Sequence, residues 1–169
     1  MELVKSYVKL HIRDYTNLRK EENVMSVLTM MKEVKAIYPD YIALIKIGKF
    51  YNIYLKDAYI VSYLFEYKLR DMEKDVKTCG FPEASLKKVI STLENKKINY
   101  LIIDRRNNYE IDEKFEMGNL NKYNETYNKA KKQANLKDRI ENITKYLYEN
   151  IDKKDISNII KKMEQVIYE

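Results

Sequence analysis

Few residues in this sequence are equipped for bond-making chemistry. Its 169 residues include one His, one Cys, 3 Gly, 2 Pro and no Trp, beside 16 Tyr and 4 Phe. His11 has no visible acid or base partner, and Cys79 has no His at a telling spacing, so neither reads as a general base or a nucleophile. One His and one Cys cannot assemble a zinc finger or a His-based metal cage. Asp71, Glu73 and Asp75 alternate like a ligand cluster, but a solvated, charged strand edge that discourages aggregation accounts for them better. Three scattered glycines make neither Gly-x-x-x-x-Gly-Lys-Ser/Thr nor Gly-x-Gly-x-x-Gly, the usual cradles of nucleotide phosphates. The expectation is a protein without metal, cofactor or enzymatic activity.

Aromatic and basic side chains remain. Phe50 follows Gly48 by two residues, between Lys46, Lys49 and Asn52. A flat apolar ring on a rigid turn can wedge into a base step, and stacking on a base is worth roughly 1–3 kcal/mol. Lys46 and Lys49 beside it suit phosphates, which supply affinity without sequence information. The competing reading makes Phe50 an ordinary core aromatic beside Tyr51 and Tyr54. Arg105 and Arg106 follow an apolar run and form either a phosphate-touching turn or a solvated turn with a local ion pair. Tyr59, Tyr63 and Tyr67, at i, i+4 and i+8, form either a stacking platform for single strands or an amphipathic packing face. Tyr123 and Tyr127, one turn apart, pose the same choice.

The elements that must position these residues follow from periodicity. Val8, Leu10 and Ile12 alternate with charged residues as in a short strand. Residues 21–37 carry Val24, Val27, Leu28, Met31 and Val34 at helical spacing and end before Pro39. Residues 41–54 read as two strands joined at Gly48, where glycine permits a tight turn. Asp57 is suited to cap a helix running to about Tyr67. A weak hairpin is expected over 68–78, a turn at Gly80-Phe81-Pro82, and a helix over 83–95 with Leu86, Val89, Ile90 and Leu93 inward. Residues 98–103 make the clearest strand, followed by a turn and a return strand beginning near Tyr109. After Gly118 the texture becomes helical: a polar stretch over 119–134, then apolar stripes at Leu136, Ile140, Ile143, Leu147 and at Ile156, Ile159, Ile160, Met163, Ile167. The last two helices are expected to form an antiparallel hairpin packed on the body or on a second chain. The fold class is therefore α/β (α+β), a small mixed sheet flanked by helices, with a body over 1–118 and a helical extension over 119–169.

Charge and hydropathy bound the setting. Lys and Arg number 32 against 26 Asp and Glu, a net charge of +6 that is spread along the chain and not gathered in a tail. That balance suits nucleic acid and equally a Lys-rich soluble surface. A lone Cys fits a reducing compartment. No apolar run approaches the roughly 20 residues that span a bilayer, and Met1-Glu2-Leu3-Val4-Lys5 lacks the apolar core of a signal peptide. A cytoplasmic protein with no membrane association is expected.

From Val24 to Asp104 the sequence resembles the N-terminal mismatch-recognition domain (domain I) of the DNA mismatch repair protein MutS. A Met-containing amphipathic helix ends at Tyr38-Pro39-Asp40. Residues 42–54, IALIKIGKFYNIY, resemble the family's strand, Gly-x-Phe-Tyr-Glu turn and second strand. Asp57-Ala58 opens a helix, and Gly80-Phe81-Pro82 leads into the 83–95 helix and the strand to Asp104, like the family's Gly-Ile-Pro stretch. The resemblance implies that Phe50 inserts into the minor groove and stacks on a mispaired or unpaired base, with Gly48 as the turn that presents it. It places Asn52 where the family has an acidic residue that bonds the stacked base. Asn offers a donor and an acceptor but no carboxylate. The clamp, connector and ATPase parts of MutS find no counterpart in this sequence.

Two functions follow as expectations. The first is a non-enzymatic protein binding nucleic acid, DNA before RNA, through Phe50, Gly48, Asn52, Lys46, Lys49, Arg105 and Arg106. The alternative is an adaptor that keeps the recognition fold as a scaffold and docks through its helical tail. Its partner would be a larger protein, such as the reverse transcriptase of a mobile element, or a second copy in a homodimer.

Overall fold

The strand β1 (Ile42–Ile47) is buried on both faces from Ile42 through Ile45, so it must lie inside a sheet covered on two sides. The computed structural model describes residues 27–73, 76–104 and 110–168. The strand expected at 8–12, residues 21–26 of the first helix, His11, Asp75, Arg105 and Arg106 lie outside them. A helix over residues 27–37, α1, precedes β1. β2 (Phe50–Tyr54) returns antiparallel to β1, with Ile45 opposite Asn52 and Ile47 opposite Phe50. Helix α2 (Leu55–Phe65) follows, then the antiparallel hairpin of β3 (Arg70–Glu73) and β4 (Val76–Pro82). A 3-10 turn over Glu83–Ser85 leads into α3 (Leu86–Asn95), which takes up the second part of the helix expected from residue 83. β5 (Tyr100–Asp104) lies parallel to β1, and β6 (Ile111–Phe115) returns antiparallel on the edge. The six strands run in the order β3-β4-β2-β1-β5-β6, a mixed sheet as expected.

Each face of the sheet has its own apolar layer. Leu44, Tyr51, Ile53 and Tyr100 point toward α2 and α3 and join Ala58, Val61, Val89 and Leu93. Ala43, Ile45, Tyr54 and Leu101 point the other way, against Val27, Met30 and Met31 of α1. The alternation that a strand imposes on its side chains thus feeds two cores from one sheet.

The tail departs from expectation in its segmentation. The polar stretch over 119–134 and the stripe from Leu136 belong to one helix, α4 (Tyr123–Glu149), because nothing between them breaks the helical backbone. Helix α5 (Lys154–Tyr168) completes the described chain. The packing of the body also runs past Gly118: Tyr123 and Ala130 are buried, and the Lys122 N–H donates to the Lys97 carbonyl at 2.9 Å. Among the described residues, no helix is long and apolar enough to cross a membrane.

Asp57 does not cap α2. It sits inside the first turn, fully buried, and its carboxylate collects partners from three other elements. The Ala43 N–H of β1 donates to Oδ2 at 2.9 Å. The Lys35 ammonium of α1 lies 2.6 Å from Oδ1, and the Tyr123 hydroxyl of α4 donates to the same oxygen at 2.5 Å. Lys35 also donates to the Tyr41 carbonyl. Burial pushes the Asp57 carboxyl up, and the Lys35 ammonium and the Ala43 N–H pull it back. A buried charge with one partner removed is costly, so Asp57→Ala is expected to lower unfolding free energy by about 3–5 kcal/mol. Tyr123→Phe, which deletes one hydrogen bond to a charged acceptor, should cost about 1.5–3 kcal/mol. Urea denaturation of both variants beside the parent protein measures the difference. Equal, negligible losses would contradict a structural role for this carboxylate.

Candidate nucleic-acid interface

The turn between β1 and β2 leaves an apolar side chain of the sheet in the open. Gly48 adopts φ +63°, a left-handed conformation that a Cβ disfavours, and no atom would crowd a side chain there. Its glycine is therefore demanded by backbone conformation and not by space. The turn sets Phe50 directly opposite Ile47 on one side and Pro82 on the other. Phe50 is 54 % exposed, whereas Tyr51, the next residue, is buried and stacks on Phe81 with ring centroids 5.4 Å apart. Of the four phenylalanines, all among the described residues, Phe50 alone is exposed. The core-aromatic reading thus fits Tyr51 and Tyr54, and not Phe50.

Asn52 shares the face of Phe50, two residues along the same strand, and is half-buried. Among the described residues its side-chain amide makes no hydrogen bond. Gly80 lies opposite Asn52 in β4. A Cβ on Gly80 would come within 2.9 Å of the Tyr51 carbonyl oxygen and 3.3 Å of the Asn52 Oδ1, so glycine clears the space the amide occupies. The Glu83 N–H donates to the Lys49 carbonyl at 2.9 Å and ties the hairpin tip to the end of β4.

The two lysines separate. Lys49 is exposed at the turn and, among the described residues, forms no ion pair. Lys46 points to the face opposite Phe50, where its ammonium meets Glu83 at 2.5 Å. An ammonium already paired and largely covered is a brace for the hairpin before it is a phosphate contact. Asp104, the residue before Arg105 and Arg106, pairs in register with Lys46 at this same end of the sheet.

The other candidates resolve into structure. Tyr59 meets Tyr127 edge-on with centroids 6.0 Å apart. α2 ends at Phe65, short of the expected Tyr67, and Tyr67 beyond it stacks on Phe81 at 5.7 Å, so these two serve packing while Tyr63 stays exposed. Tyr123 spends its hydroxyl on Asp57. Asp71 is paired with Lys77 at 2.8 Å, and the described residues hold no cluster suited to a metal ion. Cys79 is buried, its thiol set toward the Ala58 carbonyl at 3.5 Å and pushed up to about 12 by burial. A thiol held protonated in the core is a poor nucleophile.

The sequence model of the MutS domain I family matches residues 26–132, well over half of the chain. The chain belongs to the MutS domain I family. A search among curated proteins returns no match. The matched stretch includes the first turns of α4, in keeping with the burial of Tyr123 and Ala130. In this member of the MutS domain I family, the Gly48–Phe50 turn stands at an open end of the sheet, and α4 starts from the other. The Asp57 network was invisible to spacing. Its only sequence sign was an Asp among the apolar residues at the start of α2.

Because Gly48 is left-handed, Gly48→Ala is expected to cost about 1–2 kcal/mol of stability. Gly48→Asn, which tolerates that conformation, should cost less. Denaturant midpoints of the two variants check this order; equal losses would mean that φ is not what holds the glycine there.

Proposed function

We propose that this protein is a non-enzymatic DNA-binding protein that engages duplex distortions through Phe50. The observation that carries the reading is the selective exposure of one phenylalanine at the tip of a hairpin whose other aromatics are buried. An exposed ring backed by Ile47 and Pro82 offers an apolar wedge for a base step. Mispaired, unpaired or single-stranded sites pay less to open than a regular duplex, so they are the favoured substrates. Asn52 meets the edge of the stacked base with its unspent amide. It lacks the carboxylate of the family pattern, so discrimination between mismatches rests on a neutral hydrogen bond. Lys49 meets phosphate, with Arg105 and Arg106 as further phosphate contacts. The action is cytoplasmic and accessory to DNA repair or to a related DNA transaction.

The adaptor reading keeps one observation in its favour: the apolar stripes of α4 and α5 remain exposed. Docking of the tail to a larger protein is compatible with a DNA-binding body.

Fluorescence anisotropy with paired, mismatched and single-stranded oligonucleotides across a salt series tests the proposal. Phe50→Ala is expected to weaken binding to distorted DNA about 5- to 150-fold, the worth of one stacked base, while leaving the thermal midpoint nearly unchanged. Lys49→Ala should weaken all substrates alike and reduce the salt slope by about one. Unaltered binding by Phe50→Ala, or an absence of salt-dependent binding by the parent protein, would overturn it.

A further inference from the structure

The tail carries apolar surface that its own chain does not cover. Tyr123, Tyr127 and Ala130 turn α4 toward α2, and the two helices run parallel from Asp57 and Tyr123 onward. α4 has 27 residues against 11 in α2, so at 1.5 Å per residue it overhangs α2 by more than 20 Å. The overhang bears Leu136, Ile140 and Ile143, 46 %, 62 % and 49 % exposed. At about 100° per residue this stripe points roughly 140° away from the side that packs on α2. The body therefore cannot cover it. α5 buries Ile156 but leaves Ile159, Met163, Val166 and Ile167 at the surface, lining an apolar groove of about 430 Å³ beside Lys162.

We infer that the occupant of this surface is a second copy of the same chain, with the two α5 helices packed antiparallel about a two-fold axis. Two observations support it. The exposed apolar side chains of the α4 overhang, Ile151 and α5 present on the order of 900 Å², against roughly 800 Å² per partner in a standard interface. Asp155 and Lys162 lie seven residues apart on one flank of the α5 stripe, both exposed and, among the described residues, without an ion-pair partner. In an antiparallel pair related by a two-fold, Asp155 of each copy faces Lys162 of the other, so both ion pairs form at once. Their midpoint falls at Asn158 and Ile159, placing the isoleucines Ile159 and Ile160 at the centre. One register thus satisfies the charges and brings the two α5 stripes face to face.

Sedimentation equilibrium of the full chain tests this. The expected mass is twice that of the 20.4 kDa chain. Asp155→Lys and Lys162→Glu should each weaken self-association about tenfold or more, because each sets like charges face to face. The double variant should recover the parent's dimer. Mixing the two single variants should give a heterodimer tighter than either alone, since one brings an all-cationic flank and the other an all-anionic one. Circular dichroism confirms that these surface changes leave the fold intact. A parent chain that stays monomeric at about 100 μM, beyond the reach of micromolar dimers, would overturn the inference. So would a double variant as weak as the singles.

Discussion

A single buried carboxylate holds four elements of this protein together. Asp57 takes an N–H from the central strand, an ammonium from α1 on one face of the sheet and a hydroxyl from α4 on the other side. Neither apolar layer alone connects α1 to α4, because the sheet lies between them. The charge does so at the one end of β1 where both helices pass. Its burial is unfavourable in isolation and is offset only when every partner is in place. That condition makes the relative placement of the helices close to all-or-none.

The opposite end of β1 has the reverse character. There the strand leaves the core through Ile47, turns at Gly48 and returns with Phe50, and Glu83 holds it from the end of β4 through its carboxylate on Lys46 and its N–H on the Lys49 carbonyl. A rigid, well-anchored sheet thus ends in an apolar tip that faces water. Burying a phenylalanine is the default outcome of folding, and the same hairpin does so with its neighbour Tyr51. Leaving Phe50 out is therefore a specific result of register and of the turn. Belonging to the MutS domain I family gives that tip a context.

Much of this architecture was legible in the chain. The alternation over 42–54, the helical spacing before Pro39 and in 86–93, and the run at 98–103 foretold the elements, because side-chain periodicity reports which faces a core covers. Gly48 was readable as a turn, but the turn expected at Gly80-Phe81-Pro82 is instead the end of strand β4, where glycine answers to the close approach of the Tyr51 carbonyl on β2. The tail was legible as helix but not in its segmentation, since a polar stretch and an apolar stripe can share one uninterrupted helix when they face different partners. Lys46 and Lys49 looked equivalent in sequence. Odd and even positions of a strand face opposite ways, and the turn separates them further.

What the sequence by itself determined was local: which segments form strands and helices, and where a glycine lets the backbone turn between them. Tertiary structure decided what those segments do with their side chains. It turned a carboxylate that looked like a helix cap into the junction of the fold, because its partners stand 14, 22 and 66 residues away along the chain. It chose Phe50 and not Tyr51 for exposure, because alternation sorts residues into two faces but only the packed helices settle which positions they cover. And it left the stripe of α4 and most of that of α5 outside, because the α4 stripe turns away from the side that packs on α2.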